Sequence, residues 1–133
     1  MLKINKRFLI ALLTFALPFG SVGCSNGRSA SYDQISGAEA KALMDSESGY
    51  IIIDARTQSE YDEGHIPGAI LIPEYEIADR AEKELPDKDQ LILVYCRSGR
   101  RSKIAAEELV KLGYTNIREF GGIIDWEYEI VKD

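Results

Sequence analysis

The run Cys96-Arg-Ser-Gly-Arg-Arg-Ser102, followed by Lys103, gathers one thiol and four cationic side chains within eight residues. A thiol becomes a nucleophile only as its thiolate, and the thiolate is favoured by positive charge, by a helix N-terminus and by inward-pointing backbone amides. All three are on offer here. The apolar run Gln90-Leu-Ile-Leu-Val-Tyr95 reads as a strand leading into Cys96, and the residues after the loop read as an amphipathic helix to Leu112 with Gly113 at its C-terminal cap. Gly99 lets the loop curl its amides into an anion nest. The segment therefore predicts an activated Cys96 beside a site for a small anion. Ile53-Asp54-Ala55-Arg56, at the end of another strand-like run, supplies a carboxylate and a guanidinium that either pair with loop or helix groups near the site or face the substrate.

The elements that position these residues alternate. Ser36-Gly-Ala-Glu39 is a capping box opening a helix through Met44, and Tyr50 to Asp54 is a strand. Thr57-Gln-Ser-Glu60 starts a second helix, Ala69 to Ile72 a second strand, and residues 74–85 a helix stopped by Pro86. Asn116 to Phe120 is a last short strand, and Gly121-Gly122 leads into a terminal turn or helix carrying Trp126. Strands alternating with helices, two of them apolar throughout, predict an α/β fold with a parallel sheet covered on both faces.

Three motifs in this order resemble the rhodanese family of sulfurtransferases over nearly all of residues 32–133. They are Cys96 to Ser102; Ile53-Asp-Ala-Arg56 with Glu60-Tyr61 and Gly64-His-Ile-Pro-Gly-Ala69; and Gly121-Gly-Ile-Ile-Asp-Trp126. The resemblance implies a central five-stranded parallel sheet flanked by helices on both faces. It also implies a cysteine that accepts a sulfane sulfur as a persulfide and passes it to a second nucleophile. Carried over residue by residue, Cys96 is the sulfur-accepting nucleophile. Arg97, Ser98, Gly99, Arg100 and Arg101 form the rest of a six-residue loop that cradles the persulfide and binds the substrate. Arg97 and Arg100 are the candidates for oxyanion contacts, whereas Arg101 and Ser102 brace the loop, with Asp54 and Arg56 as further supports. The implied partners are a small anionic sulfur donor such as thiosulfate and a thiol or other thiophilic acceptor, and no cofactor is implied.

Other chemistries fit less well. A cysteine phosphatase or arsenate reductase places five residues between Cys and Arg, whereas here Arg101 follows Cys96 after four. A non-catalytic binding module, or a persulfide or redox relay working with a partner thiol, remains as the alternative reading. His65 is the only histidine, and it lies in a turn-rich motif where a thiolate already activated needs no base. One His and two distant Cys offer no metal-ligand set.

The chain carries 16 basic and 22 acidic residues, and residues 24–133 carry 13 and 22, a net charge of −9. So acidic a domain does not bind nucleic acid through its overall charge. Lys3, Lys6 and Arg7, the apolar run Phe8 to Leu17, and the small residues before Cys24 follow the order of a signal peptide over residues 1–23. Cys24 directly after Gly23 resembles the lipidated cysteine of bacterial lipoproteins, although Ser21 stands where Leu is usual, so cleavage as an ordinary secretory protein stays open. Residues 24–31 then read as a tether. Either route exports the domain, anchored by lipid at the outer face of the membrane or periplasmic or secreted.

Overall fold

The computed structural model describes residues 31–133; the signal-peptide and lipidation calls, including Cys24, and all of the tether but Ser31 lie outside the described residues. Five strands form one parallel sheet in the order β1-β5-β4-β2-β3: β1 (Asp33–Gln34), β2 (Ile51–Asp54), β3 (Ala69–Leu71), β4 (Ile92–Cys96) and β5 (Ile117–Gly122). The sheet is interleaved with α1 (Gly37–Ser46), α2 (Gln58–Glu63), α3 (Ile77–Glu84) and α4 (Arg100–Lys111). This is the α/β architecture expected.

Strand alternation divides the core and so decides where the chemistry sits. Along β4, Ile92, Val94 and Cys96 face α3 and α4 in a cluster with Ile53, Ile77, Ala81, Ala105, Ala106 and Leu109. Leu93 and Tyr95 point to the opposite face, against Ala40, Ile52, Phe120 and Trp126. Cys96 thus belongs to the face that α4 covers, at the carboxyl end of the central strand, where ligand crevices of open parallel sheets lie.

Several boundaries differ from the sequence reading. The two-residue strand β1 has no apolar signal, being exposed and polar. The helix expected over 74–85 divides into a 3-10 turn, Glu74–Glu76, and α3. β5 runs on through both glycines, and only a 3-10 turn, Ile123–Asp125, follows them. Most consequential, Cys96 is the last residue of β4 and α4 already begins at Arg100. The expected six-residue loop is therefore three loop residues, Arg97 to Gly99, with Arg100 and Arg101 on the first helical turn.

The capping box read at Ser36 forms, and the helical start read at Thr57 proves to be a second one. Ser36 and Thr57 each accept from the amide of the third helical residue, and Glu39 and Glu60 reach back to the cap amides.

Candidate active site

Cys96 Sγ lies at the floor of a turn built from backbone. The amide of Gly99 donates to it at 3.0 Å, and the Ser102 hydroxyl lies 3.4 Å away. Gly99 adopts φ +107°, a left-handed conformation that L side chains avoid, and this turns its amide inward while opening α4. Burial pushes the Cys96 thiol up, but hydrogen bonds from the Ser102 hydroxyl and from the amides of Ser102, Gly99 and Ser98 outweigh it, leaving the thiol below its ordinary value. These neutral donors act beside the arginines that the sequence reading credited, of which Arg101 also interacts with the Cys96 charge.

Cys96 is buried, 1% exposed. The reason is the neighbouring strand. Val94 pairs with Glu119 but Cys96 with Gly122, so β5 carries one extra residue there, a β-bulge with Gly121 at φ +81°. The bulge slides Gly122 beneath the loop. A Cβ on Gly122 would stand 2.0 Å from the Arg97 carbonyl oxygen and 2.5 Å from the Ser98 Cα, so only hydrogen fits.

Arg97, Ser98 and Arg100 are exposed at the mouth of the turn, and Gly99 is buried. Arg101 turns away from solvent to Glu60 of α2, donating from Nη1 and Nη2 at 2.7 and 2.8 Å. This two-bond fork fastens the first turn of α4 to α2. Ser102 is fully buried, and its Oγ also lies 2.6 Å from Glu119 Oε1 and 3.1 Å from the Gly99 carbonyl. Asp54 and Arg56 are brought to each other rather than to Cys96. Arg56 Nε and Nη2 donate to the Asp54 carboxylate at 2.6–3.1 Å, and Nη2 also donates to the Gly64 carbonyl at 2.7 Å. Tyr95 Oη donates to Asp54 Oδ2 at 2.6 Å and accepts from the Ile66 amide, on the sheet face opposite to Cys96. The Asp54–Arg56–Tyr95 unit thereby fixes the 64–66 segment. His65 stacks on Tyr61 with ring centroids 3.7 Å apart and bridges to Val131, with no hydrogen bond to Cys96.

The sequence reading missed Glu119 and Tyr95 and did not see Glu60 as the partner of Arg101. Glu119 had a signal: it sits two residues after buried Ile117 in a strand, on the inward phase, where a carboxylate needs a reason.

The Glu60–Arg101 pair gives a pH prediction. The Arg101 hydrogen bonds, helped by Thr57 and opposed by partial burial, hold the Glu60 carboxyl down at about 2, against an ordinary value of 4.5. A folded-state pKa below the unfolded one contributes stability that is present above pH 4.5 and is lost as pH falls from there toward 2. Thermal unfolding at pH 6 and pH 3 should therefore show wild type losing more on acidification than Glu60→Gln. Equal losses would mean that the fork contributes nothing to the fold.

Comparison with known proteins gives a consistent picture. Residues 36–129 match the family model of the rhodanese-like domain. The chain is 41% identical over 80 residues to the thiosulfate sulfurtransferase PspE of Escherichia coli, covering 60% of this chain and 77% of that protein. It is 37% identical over 103 residues to the putative sulfur carrier protein YrkF of Bacillus subtilis, covering 77% of this chain but 55% of that one. A solved structure described as rhodanese with anions, from E. coli, superposes with a TM-score of 0.60 at 38% identity, covering 64% of this chain and all of that one.

Proposed function

Because the chain belongs to the rhodanese-like domain family, we propose that it is a sulfurtransferase in which the Cys96 thiolate takes a sulfane sulfur from thiosulfate or a related anionic donor, holds it as a persulfide and hands it to a thiophilic acceptor. The observation that carries this reading is Cys96 Sγ at the end of the central strand, held below its ordinary thiol range by the turn's amides and Ser102. Curated relatives named as sulfurtransferases support it.

The thiolate attacks the outer sulfur of thiosulfate, the sulfur–sulfur bond breaks, and sulfite leaves with the electron pair. The outer sulfur of the persulfide then lies where Gly99 and its neighbours present their amides, which can stabilise its negative charge without reorganising. Arg97 and Arg100, exposed at the mouth, attract the dianion and stabilise the departing sulfite. In the second step an acceptor nucleophile attacks that outer sulfur and returns Cys96 to the thiolate. Cys96 is the one cysteine among the described residues, so within them no second thiol resolves the persulfide.

Such a covalent shuttle has a kinetic form. Initial rates with thiosulfate and cyanide should follow ping-pong kinetics, because sulfite leaves before the acceptor binds. In the Arg97→Met, Arg100→Met double variant kcat/KM for thiosulfate should fall roughly tenfold, mainly through KM, since two exposed charges contribute about 0.7 kcal/mol each. High salt should shrink the difference. Intersecting double-reciprocal lines, or an unchanged kcat/KM in the double variant, would contradict these roles.

A further inference from the structure

Of the three arginines that follow Cys96, Arg97 and Arg100 are exposed at the mouth of the turn, while Arg101 is spoken for by a different helix. Its Nη1 and Nη2 donate to the two Glu60 oxygens at 2.7 and 2.8 Å. Glu60 is in turn fixed by its own helix, because its Oε2 accepts from the Thr57 amide and the Thr57 hydroxyl, both at 3.0 Å, as the returning half of the α2 capping box. The fork therefore offers Arg101 a preset, two-oxygen acceptor that matches a guanidinium.

The pairing matters because Arg101 lies within electrostatic reach of the nucleophile. The hydrogen bonds to Glu60, opposed by burial and helped by the charges of Glu60, Cys96 and Asp54, hold its guanidinium charged above the ordinary arginine range. The next residue, Ser102, places its Oγ 3.4 Å from Cys96 Sγ. Inward-pointing amides with a guanidinium beside them make a grip for an oxyanion, since the amides take some of its oxygens and the guanidinium two more. A turn that must hold one sulfur and release sulfite is better without that grip.

We infer that Glu60 is a positioning residue that sets what the turn can hold: by keeping Arg101 bound to α2, it leaves the amide nest to a single sulfur and denies oxyanions such as sulfate and the departing sulfite their best partner. The exclusion has two parts. Both Nη atoms of Arg101 are already engaged, and an oxyanion brought to the remaining Nε edge also meets the negative charge of Glu60. Arg97 and Arg100 can still attract a dianion to the mouth without closing on it.

The inference rests on the turn being the place where sulfur is received, but its test reads anion binding and not sulfur transfer. The full chain, labelled with 15N, is titrated with sodium sulfate at constant ionic strength, and the Gly99 amide that donates to Cys96 Sγ reports an anion entering the nest. Glu60→Gln is expected to bind sulfate roughly tenfold more tightly than wild type, the gain of one charge-assisted contact. Glutamine still gives Thr57 the acceptor that a capping box needs, so the start of α2 survives. Glu63→Gln, on the same helix and exposed, makes the same change in net charge and should show no such gain. The double variant Glu60→Gln, Arg101→Met should return to the wild-type affinity, which a mere loosening of the turn would not do. Should Glu60→Gln fail to fold, Glu60→Asp, one methylene short of the guanidinium and unchanged in charge, takes its place and should also bind sulfate more tightly than wild type. Tightening no greater than that of Glu63→Gln, or tightening that persists in the double variant, overturns the inference whether or not Cys96 carries a persulfide.

Discussion

Cys96→Ser is expected to abolish sulfur transfer from thiosulfate to cyanide, a loss of roughly 10⁴-fold or more, while the domain stays folded. The chemistry requires it, since a serine hydroxyl is not ionised at neutral pH and its oxygen is a poor nucleophile toward a sulfane sulfur. The structure says why the fold survives. The substituted Oγ would still meet the Gly99 amide and the Ser102 hydroxyl, the groups that now surround Sγ. A buried hydroxyl with partners costs about 1 kcal/mol, or roughly 4–8 °C in melting temperature for a domain of this size. Thiocyanate release and thermal unfolding, measured on the same preparation, check both halves. Residual turnover within tenfold of wild type would mean that another group carries the sulfur.

Gly122→Ala should be the most damaging single methyl in the domain. Its φ of −129° is ordinary, so the need for glycine does not lie in backbone conformation. It lies in contact: the added carbon would sit 2.0 Å from the Arg97 carbonyl oxygen and 2.4 Å from its carbon, both backbone atoms of the cysteine turn. Neither can swing aside like a side chain. Either β5 shifts away from Cys96 or the turn lifts off its floor, and the cost should reach about 3 kcal/mol or more. Gly121→Ala is the internal control. Gly121 has φ +81° but no atom within 4 Å of an added Cβ, so it should lose only the roughly 1–2 kcal/mol of a left-handed residue. Melting temperatures of the two variants, with alkylation rates of Cys96 in each, separate the cases. If Gly121→Ala proves as harmful as Gly122→Ala, close packing under the turn is not what the second glycine provides.

Much of this arrangement could be read from sequence because its signals are local. The capping boxes at Ser36 and Thr57 rest on side chains three residues apart, and the apolar run into Cys96 has no competing helical period. Where the causes are non-local the reading failed. β1 is two polar residues that become a strand only because β5 offers a free edge. The partner of Arg101 is 41 residues away at Glu60, and the depth of Cys96 depends on a bulge in β5 that no pattern in β4 announces. The residue types alone leave Asp54 and Arg56 between structural and substrate-facing roles, and strand phase decides it. Asp54 pairs with Tyr95 on one face of the sheet while Cys96, one residue on from Tyr95, points to the other.

The central claim is a sulfur held on Cys96, and intact mass reads it directly. The protein is weighed before and after thiosulfate, then again after cyanide, with Cys96→Ser alongside. The account predicts a gain of one sulfur atom on wild type alone, removed by cyanide with release of an equal amount of thiocyanate. No gain from thiosulfate or from a polysulfide donor, on folded protein with Cys96 reduced, would contradict it and leave the domain as a binding module.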